Sequence, residues 1–224
     1  GSSFVARIGP TGNVGASEGG GLWIDDATEG ALSNVTITAN SAHAGTGGGR
    51  GEGSGVFNAG SLNLTLSNVL VAQNFSDKDF DGLVTSNSSN NLIGNGDRVR
   101  GISHGVAGNL LGEDDAVLDA QLTGLQDNGG TTLTHRLIEG SPAIDAGIRE
   151  GAPLDDQRGV ARPLQSPVDI GAFEAQRRLN VALPNGGGEY RVFAEATEIV
   201  ITRLTVGLVP LAEPVEIFRY ELAA

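Results

Sequence analysis

The chain has 224 residues, 35 of them Gly, with 4% aromatics and a net charge of −13, enough length for one or two domains with a sizeable core. No Gly-X-Y period runs through it, which excludes collagen, and its Val, Ile and Leu exclude simple disorder. The acidic balance excludes nucleic acid as a partner, the lack of Cys excludes disulfides and thiolate zinc sites, and no apolar run approaches the ~20 residues of a membrane-inserted helix.

The chain begins with Gly1 rather than Met, which reads as a processed product or a fragment. "SFVARI" at residues 3–8 matches "TITANS" at residues 36–41, placing Gly1 near the start of a coil strand. Earlier coils or another subunit are therefore expected upstream, with a head-to-tail homo-oligomer as one form of that contact.

Next comes a repeat. "GLWI" starts at Gly21 and "GVFN" at Gly55; "SNVTITAN" starts at Ser33 and "SNVLVAQN" at Ser67, so both pairs are offset by 34. Apolar residues in "NVTITAN" alternate with period two, which argues against helical repeats, and a propeller blade needs four strands in roughly 40–45 residues. A parallel β-helix with one coil per repeat fits best. Val35, Ile37 and Ala39 are expected to point inward, with Val69, Val71 and Gln73 stacked on them about 4.8 Å away. Asn40 and Asn74 are expected to stack at one bend, where Asn tolerates a left-handed backbone. The Gly-rich loop at residues 45–55 reads as a surface loop, since it lacks the Lys and the strand–helix context of a phosphate cradle.

"DKDFDG" at residues 77–82 has the alternating carboxylates of a calcium loop, through Asp77, Asp79 and Asp81, but Ser88 stands where a closing Glu is needed. Ca²⁺ is the one cofactor the sequence suggests. No acid–base groove recurs from coil to coil: Asp25 and Asp26 have Ala59 and Gly60 at the matched positions. His43, His104 and His135 sit in unrelated contexts and read as surface or hydrogen-bonded residues.

The stretch from Ser141 to Glu174 concentrates Asp, Arg, Pro and Gly. Asp145, Asp155, Asp156, Arg158, Arg162, Asp169 and Glu174 could form a catalytic cluster of paired carboxylates. The turn residues and adjacent Asp–Arg pairs favour a structural cap, built on Asp145, Asp156, Arg158, Arg162, Asp169 and Glu174, that covers the open end of the β-helix. After residue 175 the pattern becomes three or four strands of a small antiparallel sheet, with Phe218, Tyr220 and Leu222 alternating on one face.

The motifs "LTLSNVLVAQN", "NNLIG", "LQDNGGTTLTHRLIEGSPAIDAG", "DQRGVARP" and "DIGAFE" follow one another over roughly residues 19–174. In that order they resemble the choice-of-anchor Q domain of right-handed parallel β-helix proteins on bacterial surfaces. The resemblance implies an extracellular or cell-surface location and a structural or adhesive role, and it carries no catalytic set with it. The family's usual anchor sequence is not evident after Glu174.

The expected fold is all-β: β-helix coils over residues 1–97, a loop-rich cap over 98–175, and a terminal sheet over 176–224. The expected function is a non-catalytic stalk, adhesin or assembly subunit, with a polysaccharide or another protein subunit as partner. Two alternatives stand beside it: a carbohydrate-active enzyme whose catalytic coils lie upstream, and a filament subunit stacking through its N-terminal coil.

Overall fold

A computed structural model describes residues 20–24, 29–42, 52–60, 63–75, 78–163 and 167–175, together with four strands of the tail. Residues 3–8, Asp25, Asp26, His43, Asp77 and the loop at 43–51 lie outside the described residues, as does Leu222. The described residues contain strands and no helix.

The first described pass lays down β1 (Leu22–Ile24), β2 (Glu29–Ser33) and β3 (Thr36–Ile37). The second lays down β4 (Val56–Asn58), β5 (Asn63–Ser67) and β6 (Leu70–Val71). Shorter passes follow, with β7 (Phe80–Leu83) and β8 (Leu92–Ile93), then β9 (Arg98–Arg100) and β10 (Leu110–Leu111). Every pairing among these strands is parallel, in the sheet orders β1-β4-β7-β9, β3-β6-β8-β10 and β2-β5. Leu22 faces Val56, Trp23 faces Phe57 and Ile37 faces Val71, the register that the repeat predicts. Each of these two passes has three strands, with β2 and β5 between the strands that the two repeated segments mark. Parallel pairing also continues past residue 97 to Leu111, so the boundary expected at 97 lies inside the stacked region.

One apolar core lies between the sheets, built from Leu22, Val56, Leu64, Leu66, Val69 and Phe80 among others. Burying each such side chain contributes about 1.5–3 kcal/mol. Val71 and Ile37 join this core as expected, but Ala39 and Gln73 do not. Both are exposed and hold left-handed backbone, at φ 59° and 58°. They form the turn that closes the strand run, so the alternation stops one residue earlier than the sequence pattern indicates.

A second core explains where the cap sits. Leu70, Ala72 and Leu92 alternate with the inward residues and therefore face the other side of the β3-β6-β8-β10 sheet. There they pack against Ala120, Leu137, Ala143, Ile170 and Phe173 of the cap. The cap thus lies along the outer face of one sheet, not across the end of the stack as expected. The cause is the composition of the sheet, which is apolar on both faces and needs cover on both. The seam is close: the Ala172 N–H donates to Thr36 Oγ1 at 2.9 Å and the Gly171 N–H to Asn68 O at 2.9 Å. At Gly171, with φ 105°, a Cβ would lie 2.6 Å from Thr36 Oγ1, so only glycine fits.

The tail strands β11 (Arg178–Ala182), β12 (Glu189–Glu195), β13 (Glu198–Arg203) and β14 (Glu216–Glu221) pair antiparallel in sequence order, the small sheet expected from their pattern.

Candidate functional site

The charged residues of the 141–174 stretch come together as one buried network. Asp156 sits in a tight turn, where its Oδ1 accepts the N–H groups of Arg158 and Val160 at 2.8 and 3.1 Å. Its Oδ2 accepts the Arg158 fork, Nε at 2.9 Å and Nη2 at 2.6 Å, and the Glu174 N–H at 2.9 Å. Arg158 also donates to Glu174 O at 2.6 Å, and its guanidinium lies 3.6 Å from the centre of the Phe173 ring. Five donors on one carboxylate leave it no lone pair for a substrate.

Arg162 is 1% exposed. Its Nη1 donates to Glu174 Oε2 at 2.6 Å and its Nη2 to Gly171 O at 2.8 Å. Glu174 Oε2 accepts the Asp169 N–H as well, at 3.1 Å. Asp169 in turn accepts the N–H groups of Asp145 and Ala175, at 2.8 and 2.5 Å. Asp145 enters through its main chain, which is left-handed at φ 54°. Burial pushes the Glu174 carboxyl up to about 7, and the neighbouring Asp169 charge adds to the rise, against the Asp169 N–H and Arg162. Asp169 is also raised by burial, against the N–H groups of Ala175 and Asp145. All six cap residues named from the sequence therefore belong to this network. Asp155 does not: it is exposed.

The expected stack of Asn40 and Asn74 is present. Asn74 Oδ1 accepts both the N–H and the Nδ2 of Asn40, each at 3.0 Å. The next rung is Asp79. Its Oδ1 accepts Asn74 N–H at 2.9 Å and Nδ2 at 2.8 Å, and its Oδ2 accepts the Asn95 N–H at 2.7 Å. Gly94 makes room for it, since a Cβ there would lie 2.5 Å from Asp79 Oδ2. Burial raises the Asp79 carboxyl, against these N–H donors. Asp81 is turned elsewhere, to Arg98 Nη1 at 2.9 Å. Asp79 and Asp81 are thus engaged by different partners, and the described residues contain no group of three or more His, Asp or Glu placed to hold a metal ion.

The left-handed Asn residues are a different column. Asn34, Asn68 and Asn90, at φ 50°, 53° and 53°, turn three successive passes, and Ala107 does so in the fourth at 50°. The expectation had put this backbone at Asn40 and Asn74. The column also anchors the cap: Asn68 accepts the Ile148 N–H and donates to Ile148 O, both at 2.7 Å, and Asn90 donates to Ala146 O at 2.9 Å. The recurring "SN" at residues 33, 67 and 89 was the available signal. An inner pair, Asn91 and Asn109, satisfies buried main chain beside it.

His104 and His135 each bond a main-chain carbonyl, of Leu111 and Thr123. Among the described residues no helix is long and apolar enough to cross a membrane. Two cavities, of 350 and 380 Å³, lie along the seam between β3 and the cap. Comparison with family models, curated proteins and solved structures finds no match for the chain.

Proposed function

We propose that residues 20–175 form a right-handed parallel β-helix of the choice-of-anchor Q kind, acting as a non-catalytic extracellular module of a bacterial surface or secreted protein. Its role is that of a stalk, adhesin or assembly subunit. The stacked passes serve as a stiff scaffold, and the cap braces them from the side. The observation that carries this reading is the engagement of the cap carboxylates. General acid–base work needs an oxygen within reach of a substrate proton. The carboxylates of Asp156, Asp169 and Glu174 are instead held by main-chain N–H groups and two buried guanidinium groups. Two parallel sheets that take one strand from each of the four described passes, a third that pairs β2 with β5, and a left-handed Asn at the same corner of three of the passes support the β-helix part of the reading.

The test is a depolymerisation screen of the purified protein against uronic-acid and neutral polysaccharides with Ca²⁺ present. The expected result is no new reducing ends and no unsaturated uronate. Cleavage that disappears in a Glu174→Gln variant of unchanged melting temperature would overturn the structural role of the cap.

A further inference from the structure

The two cavities share Thr36, Gln157 and Ala172, so they form one seam along the outer side of β3. The 350 Å³ part has Thr36, Thr38 and Asn40 on one wall and Leu133, His135 and Phe173 on the other. The 380 Å³ part is lined by Asn34, Thr36, Pro153, Asp155 and Arg162. Each volume falls in the range of small-ligand sites.

The seam exists because β3 differs from its neighbours. The strands below it present Leu70 and Ala72 to the cap, and the cap closes on them. At the matched places stand Thr36 of β3 and Thr38 just after it; the cap touches Thr36 through the Ala172 N–H and leaves a cavity on either side of that contact. Leu125 and Leu133 remain 58% and 53% exposed at the lip.

Two buried side-chain nitrogens among the described residues lack a hydrogen-bond partner, Asn34 Nδ2 and Arg162 Nε. Both residues line the same cavity. Both nitrogens are closed off from solvent, Asn34 being 7% exposed and Arg162 1%. The polar groups the seam offers a ligand are the uncharged ones of Thr36, Thr38, Asn40 and Gln157. Its charges do not ask for an anion. Arg162 is paired with Glu174 and Asp156 with Arg158, while Asp155 stands exposed at the edge of a chain of net charge −13.

We infer that this seam binds a neutral polysaccharide segment, whose hydroxyls meet the Thr, Asn and Gln groups of its walls, and whose C–H faces rest on Leu125 and Leu133. The site rests on the cap geometry and not on the absence of catalysis.

The experiment is calorimetry of the full chain with cellohexaose, xylohexaose, mannohexaose and maltohexaose, and with hexagalacturonate as the acidic counterpart. At least one neutral hexasaccharide binds with a submillimolar Kd, and Thr38→Trp, which fills the 350 Å³ part of the seam, weakens it at least about tenfold. Gln157→Ala alters an exposed side chain and serves as the second variant if Thr38→Trp melts early. No neutral ligand bound at millimolar concentration, binding unchanged in both variants, or preference for hexagalacturonate would overturn the inference. Reducing ends are measured in the same mixtures. Binding with cleavage keeps the site and overturns the non-catalytic role; absence of both does the reverse.

Discussion

Asn68→Ala tests how the cap is held to the stacked passes. Asn68 is fully buried and bonds both main-chain groups of Ile148 at 2.7 Å, across 80 residues of sequence. Loss of those two bonds costs about 1 kcal/mol each, toward the low end for orphaned groups because Ile148 is partly accessible to water. Alanine at φ 53° adds about 1 kcal/mol of left-handed strain. The expected loss is about 3 kcal/mol, read as a shift in urea midpoint by circular dichroism and by the fluorescence of Trp23, the single Trp. Asn68→Gly removes the same bonds without the strain and should lose about 1 kcal/mol less than Asn68→Ala. An Asn68→Ala loss under 1 kcal/mol would refute the anchoring role, and equal losses in the two variants would refute the strain.

Other outcomes follow from the two cores and the buried acids. Leu92→Ala, at the buried joint between sheet and cap, should cost about 2–5 kcal/mol, whereas Leu154→Ala, 68% exposed, should cost under about 0.5 kcal/mol in the same urea assay. The Glu174 carboxyl is raised to about 7 in the folded protein, so its contribution to stability is fully present below about pH 4.5 and is lost as pH rises through about 7. Melting temperature should fall over that window, and Glu174→Gln should flatten the fall; an unchanged slope in the variant would assign the fall to other groups. Millimolar Ca²⁺ should leave the melting temperature unchanged, because Asp79 and Asp81 are engaged by Asn74, Asn95 and Arg98; a rise with the logarithm of Ca²⁺ concentration would show that a cation displaces them.

The first two passes are readable from the sequence because their intervening loops have equal length, so one offset of 34 aligns Leu22 with Val56 and Asn40 with Asn74. The later passes are hidden because that offset shrinks, to 22 between Val69 and Asn91 and 18 between Asn91 and Asn109. The side-on cap is hidden for another reason. After its Asn, "NVTIT" alternates apolar and polar, whereas "NVLVA" continues with four apolar residues, and that difference marks a sheet covered on both faces. Cap membership is readable from the density of Asp, Arg and turn residues. The Asp156–Arg158 contact is local to one turn, but Arg162 with Glu174 is a tertiary pairing that spacing does not reveal. Asp79 misleads for a physical reason: an Asp near a glycine serves equally well as a calcium ligand and as a buried rung of an amide ladder. Its neighbours decide, and here they are N–H donors.

A carboxyl displaced as far as Glu174 is commonly a sign of catalysis. The same displacement arises when two acids are buried together around one guanidinium, and the two cases differ in what the oxygens touch. A working acid has an oxygen open to a cleft; Glu174 is 5% exposed, and its Oε2 is held by Arg162 and by the Asp169 N–H. Its partner Arg162 stands behind the wall of the seam and is itself 1% exposed. The network thus stiffens one wall of the seam without placing a free charge in it. A wall of that kind suits recognition of uncharged hydroxyls better than proton transfer, and it gives the densest cluster of charge in the chain a structural reason to stand where it does.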